Sequence, residues 1–343
     1  MTHPRPGHPG KPTISDVAYA AGVSRATVSR VINDVPGASP AIRTRVRSVA
    51  AELGYQPSAA ARALATGRAR SIEMIATSLH PSTGWIAAHP YYSRVLAGAM
   101  SVLEGTDTQL SIHPVGPDRA AEAIDALAEN AAAGALLASV TPELATRFYL
   151  RCRRVISLVP TAPAVPALEA DNIAGVLTAV THLHDLGRSR IAAVHGPADN
   201  TCAAQRRDGY RGALAQFGLA ELSADGAFTR EGGLDAARTL LQRHPEIDAM
   251  FVACDLMAAG AVQAITATGR RIPEDVAVIG FDDSIAAICA NPPLSTMRLP
   301  VEQMAADATR LLLEGDPGFG YRRRYPLELV VRESTRGRTA SGG

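Results

Sequence analysis

Arg25 and Arg30 stand five residues apart in GVSRATVSRVIND, residues 22–34. Each can bond bidentately to guanine or clamp a phosphate, and Ala26 beside the first is small enough to pack on a thymine methyl. Elsewhere two aspartates, Asp255 in AMFVACD and Asp282 in VAVIGFDD, each end an apolar run. A carboxylate in that place suits hydrogen bonds from the hydroxyls of a sugar or ribose. Each feature also has an ordinary explanation. An arginine pair on a surface helix is commonly a solvated face, and an Asp ahead of a helical stretch such as LMAAGAVQAI is commonly a cap. The elements around these residues have to decide.

Around the arginines, Thr13 and Asp16 form a T-x-x-D capping box, and Ile14, Val17, Ala18 and Ala21 recur at helical spacing until Gly22 interrupts them. Ser24 caps a second helix whose Val28, Val31 and Ile32 share one face, leaving Arg25, Ala26, Ser29, Arg30 and Asn33 on the other. Ser39 and Pro40 start a third helix, striped by Val46, Val49, Ala50 and Leu53 and stopped at Gly54. Three short helices over residues 12–57 describe an all-α helix-turn-helix domain. In such a domain the second helix enters the major groove and its early residues face base edges. Ser24, Thr27, Ser29 and Asn33 suit phosphate contacts, which position without reading sequence. Thr13 joins the candidate DNA-contact set.

Charge supports a polyanion partner at this end. The 343-residue chain is 47% hydrophobic with a net charge of +1, yet its first 70 residues hold ten Lys and Arg against three Asp and Glu. That is a net of +7 on a basic module, joined to a body near −6. Cys152, Cys202, Cys254 and Cys289 are scattered without a CxxC pair, which indicates neither a zinc site nor a disulfide framework and fits a reducing cytoplasm. Residues 1–11 lack an apolar core and read as a flexible tail, not a signal peptide. No run of 18 apolar residues is present, so no membrane partner is expected. There is no G-x-x-x-x-G-K-[ST] loop, no G-x-S-x-G elbow and no metal-ligand spacing among the nine histidines. Neither an enzyme nor a cofactor is expected. His182 and His184 in HLHDLG fall on different sides of a helix.

From residue 71 onward, strand-like runs alternate with helical stretches. SIEMIATSL, QLSIHPV, GALLASV and RVISLVP make one half; RIAAVHG, AMFVACD and VAVIGFDD make another. This alternation implies an α/β domain of two lobes, each a doubly wound parallel sheet, with ligands beyond the carboxyl ends of the strands. Ser78, Asp255 and Asp282 then lie near the inter-lobe cleft by position alone. Between the modules, SAAARALATGRARS is Ala-rich but too short to hold a helix by itself, so it should order only when something packs against it.

TISDVAYAAGVSRATVSRVIND and VRSVAAELGYQPSAAARALA resemble the DNA-binding head of the LacI/GalR family of bacterial transcriptional repressors. ADNIAGVLTAVTHLHDLGRSRIAAVHG, RRDGYRGAL, IPEDVAVIGFDDS, PPLSTMRLP and LVVRESTR resemble that family's effector domain, which is related in fold to periplasmic sugar-binding proteins. The resemblance covers roughly residues 12–337. It implies a hinge at 58–70, an effector and dimerisation domain at 71–337 and a tail at 338–343. The first lobe would be about 71–167 and 299–327, the second about 168–298 and 328–337. Arg25, Ala26 and Arg30 would carry operator preference. Leu64 would wedge into the minor groove with Ala61 on the same face, or else serve as a packing anchor between domains. Arg206 would clamp the ligand, with Asp282 as its counterpart and Phe228 as a stacking face. Tyr92 would meet the ligand from the first lobe or be simply core, and Asp171 would reach the ligand or cap its helix.

The implied function is a cytoplasmic, nucleoid-associated repressor, a homodimer on a pseudo-palindromic operator. A small metabolite, a sugar or sugar derivative, would control it allosterically, as inducer or as corepressor. The end RGRTASGG is too short and polar for a tetramerising heptad helix. A purine- or nucleoside-dependent repressor, or a sugar-metabolising enzyme with an appended head, are the alternatives. The sequence departs from the family at Cys254, where Asn is frequent, and in HPSTGWIAAHP, a longer approach that holds the only tryptophan, Trp85.

Overall fold

The computed structural model describes residues 12–32, 36–55, 71–77, 88–131 and 133–336, and the chain divides into two compact units after Arg70. The expectations for Asn33, Ala61, Leu64, Ser78, Trp85 and the 58–70 hinge lie outside the described residues.

The first unit holds α1 (Ile14–Ala21), α2 (Arg25–Ile32) and α3 (Pro40–Glu52). Thr13 and Asp16 cap α1 reciprocally, and Gly22 ends it in the left-handed conformation, φ 64°. The Ser24 hydroxyl accepts the Thr27 amide at 3.1 Å, and Ser39 caps α3 ahead of Pro40. Val17, Ala21, Val28, Val31 and Val46 are fully buried together, so the helical stripes meet in one small core. Leu53 is the exception: it sits at the end of α3 and stays 39% exposed.

In the second unit, one sheet contains β1 (Ser71–Thr77), β2 (Gln109–Val115), β3 (Ala135–Ala138), β4 (Val155–Ser157), β5 (Ala167–Ala170) and β11 (Arg322–Tyr325). Its order is β11-β5-β4-β3-β1-β2, all parallel. The other contains β6 (Ile191–His195), β7 (Leu222–Asp225), β8 (Ala249–Val252), β9 (Ala277–Asp282), β10 (Ser295–Arg298) and β12 (Glu328–Val330). Its order is β12-β10-β9-β8-β6-β7, parallel except for β12 against β10. Central strands such as β6, β8 and β9 are buried along their whole length because helices cover both faces, which is why they read as unbroken apolar runs. The helices that position the site are α4 (Pro90–Leu103), α7 (Asn172–Asp185), α8 (Thr201–Phe217), α10 (Asp255–Ala267), α11 (Ile285–Cys289) and α12 (Val301–Glu314).

Three crossings join the lobes: after β5, between β10 and α12, and between β11 and β12. The first differs from the sequence expectation. A boundary at 167/168 would cut β5, whose four residues pair with β11, so the chain leaves the first lobe after Ala170. The strand is short and follows a Pro-rich loop, which gave it no visible periodicity. Among the described residues no helix is long and apolar enough to cross a membrane, and no cluster of His, Cys, Asp or Glu could hold a metal ion.

Candidate functional site

On α2, burial separates the two faces. Val28 and Val31 are inside; Arg25, Ala26 and Arg30 are exposed; Thr27 and Ser29 are half-buried. The hydroxyls of Ser24 and Thr27 lie 2.9 Å apart at the helix start. Thr13 donates its hydroxyl to Asp16 at 2.7 Å, so its first duty is the cap of α1. Tyr19, 76% exposed on α1, is an aromatic that the stripe argument passed over, because it falls on the face away from the core.

In the second unit a cavity of about 280 Å³ opens beyond the carboxyl ends of both sheets' strands. Thr77, Tyr92 and Ser139 line it from the first lobe; Arg206, Phe228 and Asp282 line it from the second. This is where a doubly wound sheet exposes strand-end side chains and helix starts. Arg206, on the second turn of α8, is 5% exposed. Its Nε donates to Asn172 Oδ1 at 2.9 Å and its Nη1 to the Ala253 carbonyl at 2.5 Å, while Nη1 stands 3.6 Å from Asp282 Oδ1. The guanidinium also lies 3.8 Å over the Phe281 ring, a further attraction for a desolvated cation.

Asp282 ends β9 with φ 116° and Asp283 follows at φ 55°, a strained pair of the kind that collects at ligand sites. Burial pushes the Asp282 carboxyl up to about 6, against the pull of Arg206 and Arg94. Phe228 has φ 57°, and its ring is aimed at Gly196, where a Cβ would fall 2.3 Å from the ring. A glycine at 196 is what admits the aromatic. Tyr92 is both core and wall: 3% exposed, packed with the first-lobe cluster, and on the cavity.

Two expected ligand residues are not brought to the cavity. Asp255 is fully buried behind it, at the start of α10. Its Oδ1 accepts from the Thr296 hydroxyl and its Oδ2 from the Ser284 amide, each at 2.7 Å. Burial, with the nearby Asp282 charge, pushes its carboxyl up to about 7. Nor is it the cap, since Cys254 is the N-cap and its Sγ accepts the Met257 amide at 3.5 Å. Asp255 instead fixes the loop after β9. Asp171 takes the capping alternative, accepting the Ala174 amide at 3.2 Å, and it is absent from the lining. Ser284 is the N-cap residue of α11, but its hydroxyl makes no cap bond.

Sequence reasoning missed several lining residues. His89 caps α4, its Nδ1 accepting the Tyr91 amide at 3.2 Å, and burial together with Arg206 lowers it to about 4, so it is neutral. The Tyr91 hydroxyl is buried with no hydrogen-bond partner among the described residues. Asn200 caps α8 and reaches across to the Ser139 hydroxyl at 3.3 Å. Asn172, beside Asp171, orients Arg206. Its only sequence signal was its place in the DN pair. Cys202 and Cys254 line the cavity as thiols, since burial pushes both up, Cys202 to about 11.

The comparisons with known proteins agree with this fold. Residues 13–58 match the family described as "Bacterial regulatory proteins, lacI family", and residues 180–335 match "Periplasmic binding protein-like domain". The chain is 35% identical over 339 residues to the HTH-type transcriptional regulator CelR of Thermobifida fusca, covering 94% of this chain and 98% of the relative. It is 32% identical over 317 residues to the ribose operon repressor of Escherichia coli (strain K12), covering 88% and 92%. Among solved structures, a CelR–cellobiose complex superposes with a TM-score of 0.69 at 33% identity, over 94% of this chain and 99% of that one. The lac repressor dimer bound to operator and the anti-inducer ONPF superposes with a TM-score of 0.72 at 26% identity, over 96% and 100%. With a helix-turn-helix head, a two-lobed ligand-binding fold and full-length relatives that are regulators rather than enzymes, this chain belongs to the LacI family of bacterial regulatory proteins.

Proposed function

We propose that the chain is a cytoplasmic, nucleoid-associated repressor that binds a pseudo-palindromic operator as a homodimer. An uncharged sugar or short oligosaccharide, bound between the lobes, sets its operator affinity. The observation that carries this reading is the buried Arg206–Asp282 pair on a cavity faced by Tyr92 and Phe228. Sugar C–H faces stack on aromatic rings, sugar hydroxyls donate to a carboxylate, and ring or hydroxyl oxygens accept from a guanidinium. The cavity's arginine already stands beside an aspartate, with Asp199 also on the wall and His89 neutral. A phosphate or carboxylate ligand would meet no uncompensated cation among the described lining residues. The CelR–cellobiose complex supports an oligosaccharide, and the operator-bound lac repressor dimer supports the assembly.

In the head, Arg25 with Ala26 at the start of α2 would read bases, and Arg30 would read a base or hold a phosphate. Regulation follows from linkage: the sugar must bind the DNA-competent and DNA-incompetent states with different affinity, and the operator then alters sugar affinity by the same factor.

A thermal-shift screen of neutral mono- and disaccharides, sugar phosphates, nucleosides and nucleobases tests the ligand class. A ligand at 100 times its Kd stabilises by about 2.7 kcal/mol, which raises Tm by roughly 5 °C at most in a unit of this size. Neutral sugars are expected to shift the transition. A shift produced by sugar phosphates, nucleosides or nucleobases alone would overturn the reading.

A further inference from the structure

Arg94 lies on α4, one turn beyond the tyrosines that face the cavity, and its side chain is only 17% exposed. Its guanidinium makes four hydrogen bonds, and they reach both lobes. Nε and Nη2 donate to the two carboxylate oxygens of Glu302, on α12 of the same lobe, at 2.7 and 2.8 Å. Nη1 donates to the backbone carbonyl of Asp282, the last residue of β9 in the other lobe, at 2.7 Å. Nη2 also donates to the carbonyl of Leu299, on the second crossing, at 2.7 Å.

The backbone at Glu302 is packed tightly against α4. Gly98 brings α4 so close to α12 that a Cβ there would fall 2.2 Å from the Glu302 carbonyl oxygen. The far end holds the residue whose carboxylate stands beside Arg206 on the cavity wall. Asp282 is fixed from other directions too: its carbonyl accepts the Leu299 amide at 3.3 Å, and the next residue, Asp283, is held by Arg298 at 2.7 Å and Arg332 at 2.6 Å. If the second lobe rotates on the first, the Asp282 carbonyl moves relative to α4. A 2.7 Å bond is lost once its atoms part by roughly another ångström. The Arg94 bond to Asp282 therefore belongs to one arrangement of the lobes.

We propose that Arg94 is a positioning residue that couples occupancy of the cavity to the arrangement of the lobes. A ligand engaging the Asp282 carboxylate acts on the same residue whose carbonyl Arg94 holds, so ligand and clamp favour or oppose one geometry together. The proposal rests on the cavity being the effector site.

The test uses the full-length chain and its Arg94→Met and Arg94→Lys variants, with cellobiose and the neutral sugars of the screen as probes and an operator selected from random duplexes. Operator affinity is measured with and without saturating sugar. Wild type should show a shift of about tenfold; Arg94→Met should still bind the sugar yet show a shift near one, and Arg94→Lys should fall between. Hydrogen exchange without ligand should speed up at residues 282–284 and 299–302 in Arg94→Met while the central strands of both lobes keep their protection. A sugar that shifts wild type and Arg94→Met alike overturns the Arg94 role and leaves the effector site standing. Unchanged exchange at 282–284 and 299–302 also overturns it. If no sugar shifts wild type, the effector reading falls and takes the coupling with it.

Discussion

Arg25 and Arg206 are the same side chain in opposite settings. Arg25 stands exposed on α2, where its guanidinium is free to meet a base. Arg206 is 5% exposed and held by Asn172, the Ala253 carbonyl, Asp282 and the Phe281 ring. The first site keeps its chemistry outside a small core that needs none of it. The second builds its chemistry into the packing, so under the proposed function the fold and the ligand depend on the same atoms. Exposed recognition can be altered without disturbing stability; buried recognition cannot.

That contrast orders the expected effects. Arg206→Ala leaves Asp282 buried without its cation, so chemical denaturation should show a loss of about 3–5 kcal/mol, together with loss of the sugar-induced shift. A variant that keeps wild-type stability would break the contrast. Gly196→Ala forces the Phe228 ring from its seat and should destabilise by about 1–3 kcal/mol, with sugar affinity falling in parallel. Unchanged sugar binding would remove Phe228 from the ligand wall. Arg25→Ala should leave Tm within measurement error, yet lose about 1–3 kcal/mol of discrimination at one operator position. Arg30→Ala separates its two readings: a flatter salt dependence with unchanged base preference identifies a phosphate contact.

A subtler effect concerns pH. Asp255 is raised in the folded chain, from an ordinary carboxylate value to about 7. Between about pH 4 and 7 the native state therefore holds more protons than the unfolded chain, and this group's contribution to stability declines as pH rises through that window. Asp255→Asn should flatten the decline in denaturation curves taken from pH 5 to 8. A slope identical to wild type would show that Asp255 is not the responsible group.

The same contrast explains what the sequence made legible. The head was readable because three helices over a small core leave a strict residue pattern. With Val28 and Val31 assigned inward, Arg25, Ala26 and Arg30 had to face out, as they do. The strands of the lobes were readable where they made continuous apolar runs, as in β6, β8 and β9, and unreadable where a charged residue interrupts the run, as Glu169 does in β5 and Glu328 in β12. At the cavity, spacing was not enough. Asp255 and Asp282 follow similar apolar runs, yet one faces the cavity and the other is turned to Thr296 and Ser284, partners that lie 41 and 29 residues away. Asn200 and Arg94 act through contacts that span the lobes, and Asn172 through one with Arg206, 34 residues away; no local pattern announces such contacts. Arg206 was found through family resemblance, because nothing in its local sequence distinguishes it from Arg207 beside it.

The central proposal is that a neutral sugar, held by Arg206 and Asp282, controls the DNA affinity of the head. It is tested most directly by fluorescence anisotropy of a labelled operator duplex with the full-length chain at fixed salt, titrated with the sugar found by thermal shift, for wild type and Arg206→Lys side by side. The account predicts that the sugar changes wild-type operator affinity by about tenfold, while Arg206→Lys binds the operator as tightly as wild type and no longer responds at that sugar concentration. An operator affinity indifferent to every neutral sugar, or an undiminished response in Arg206→Lys, would contradict it.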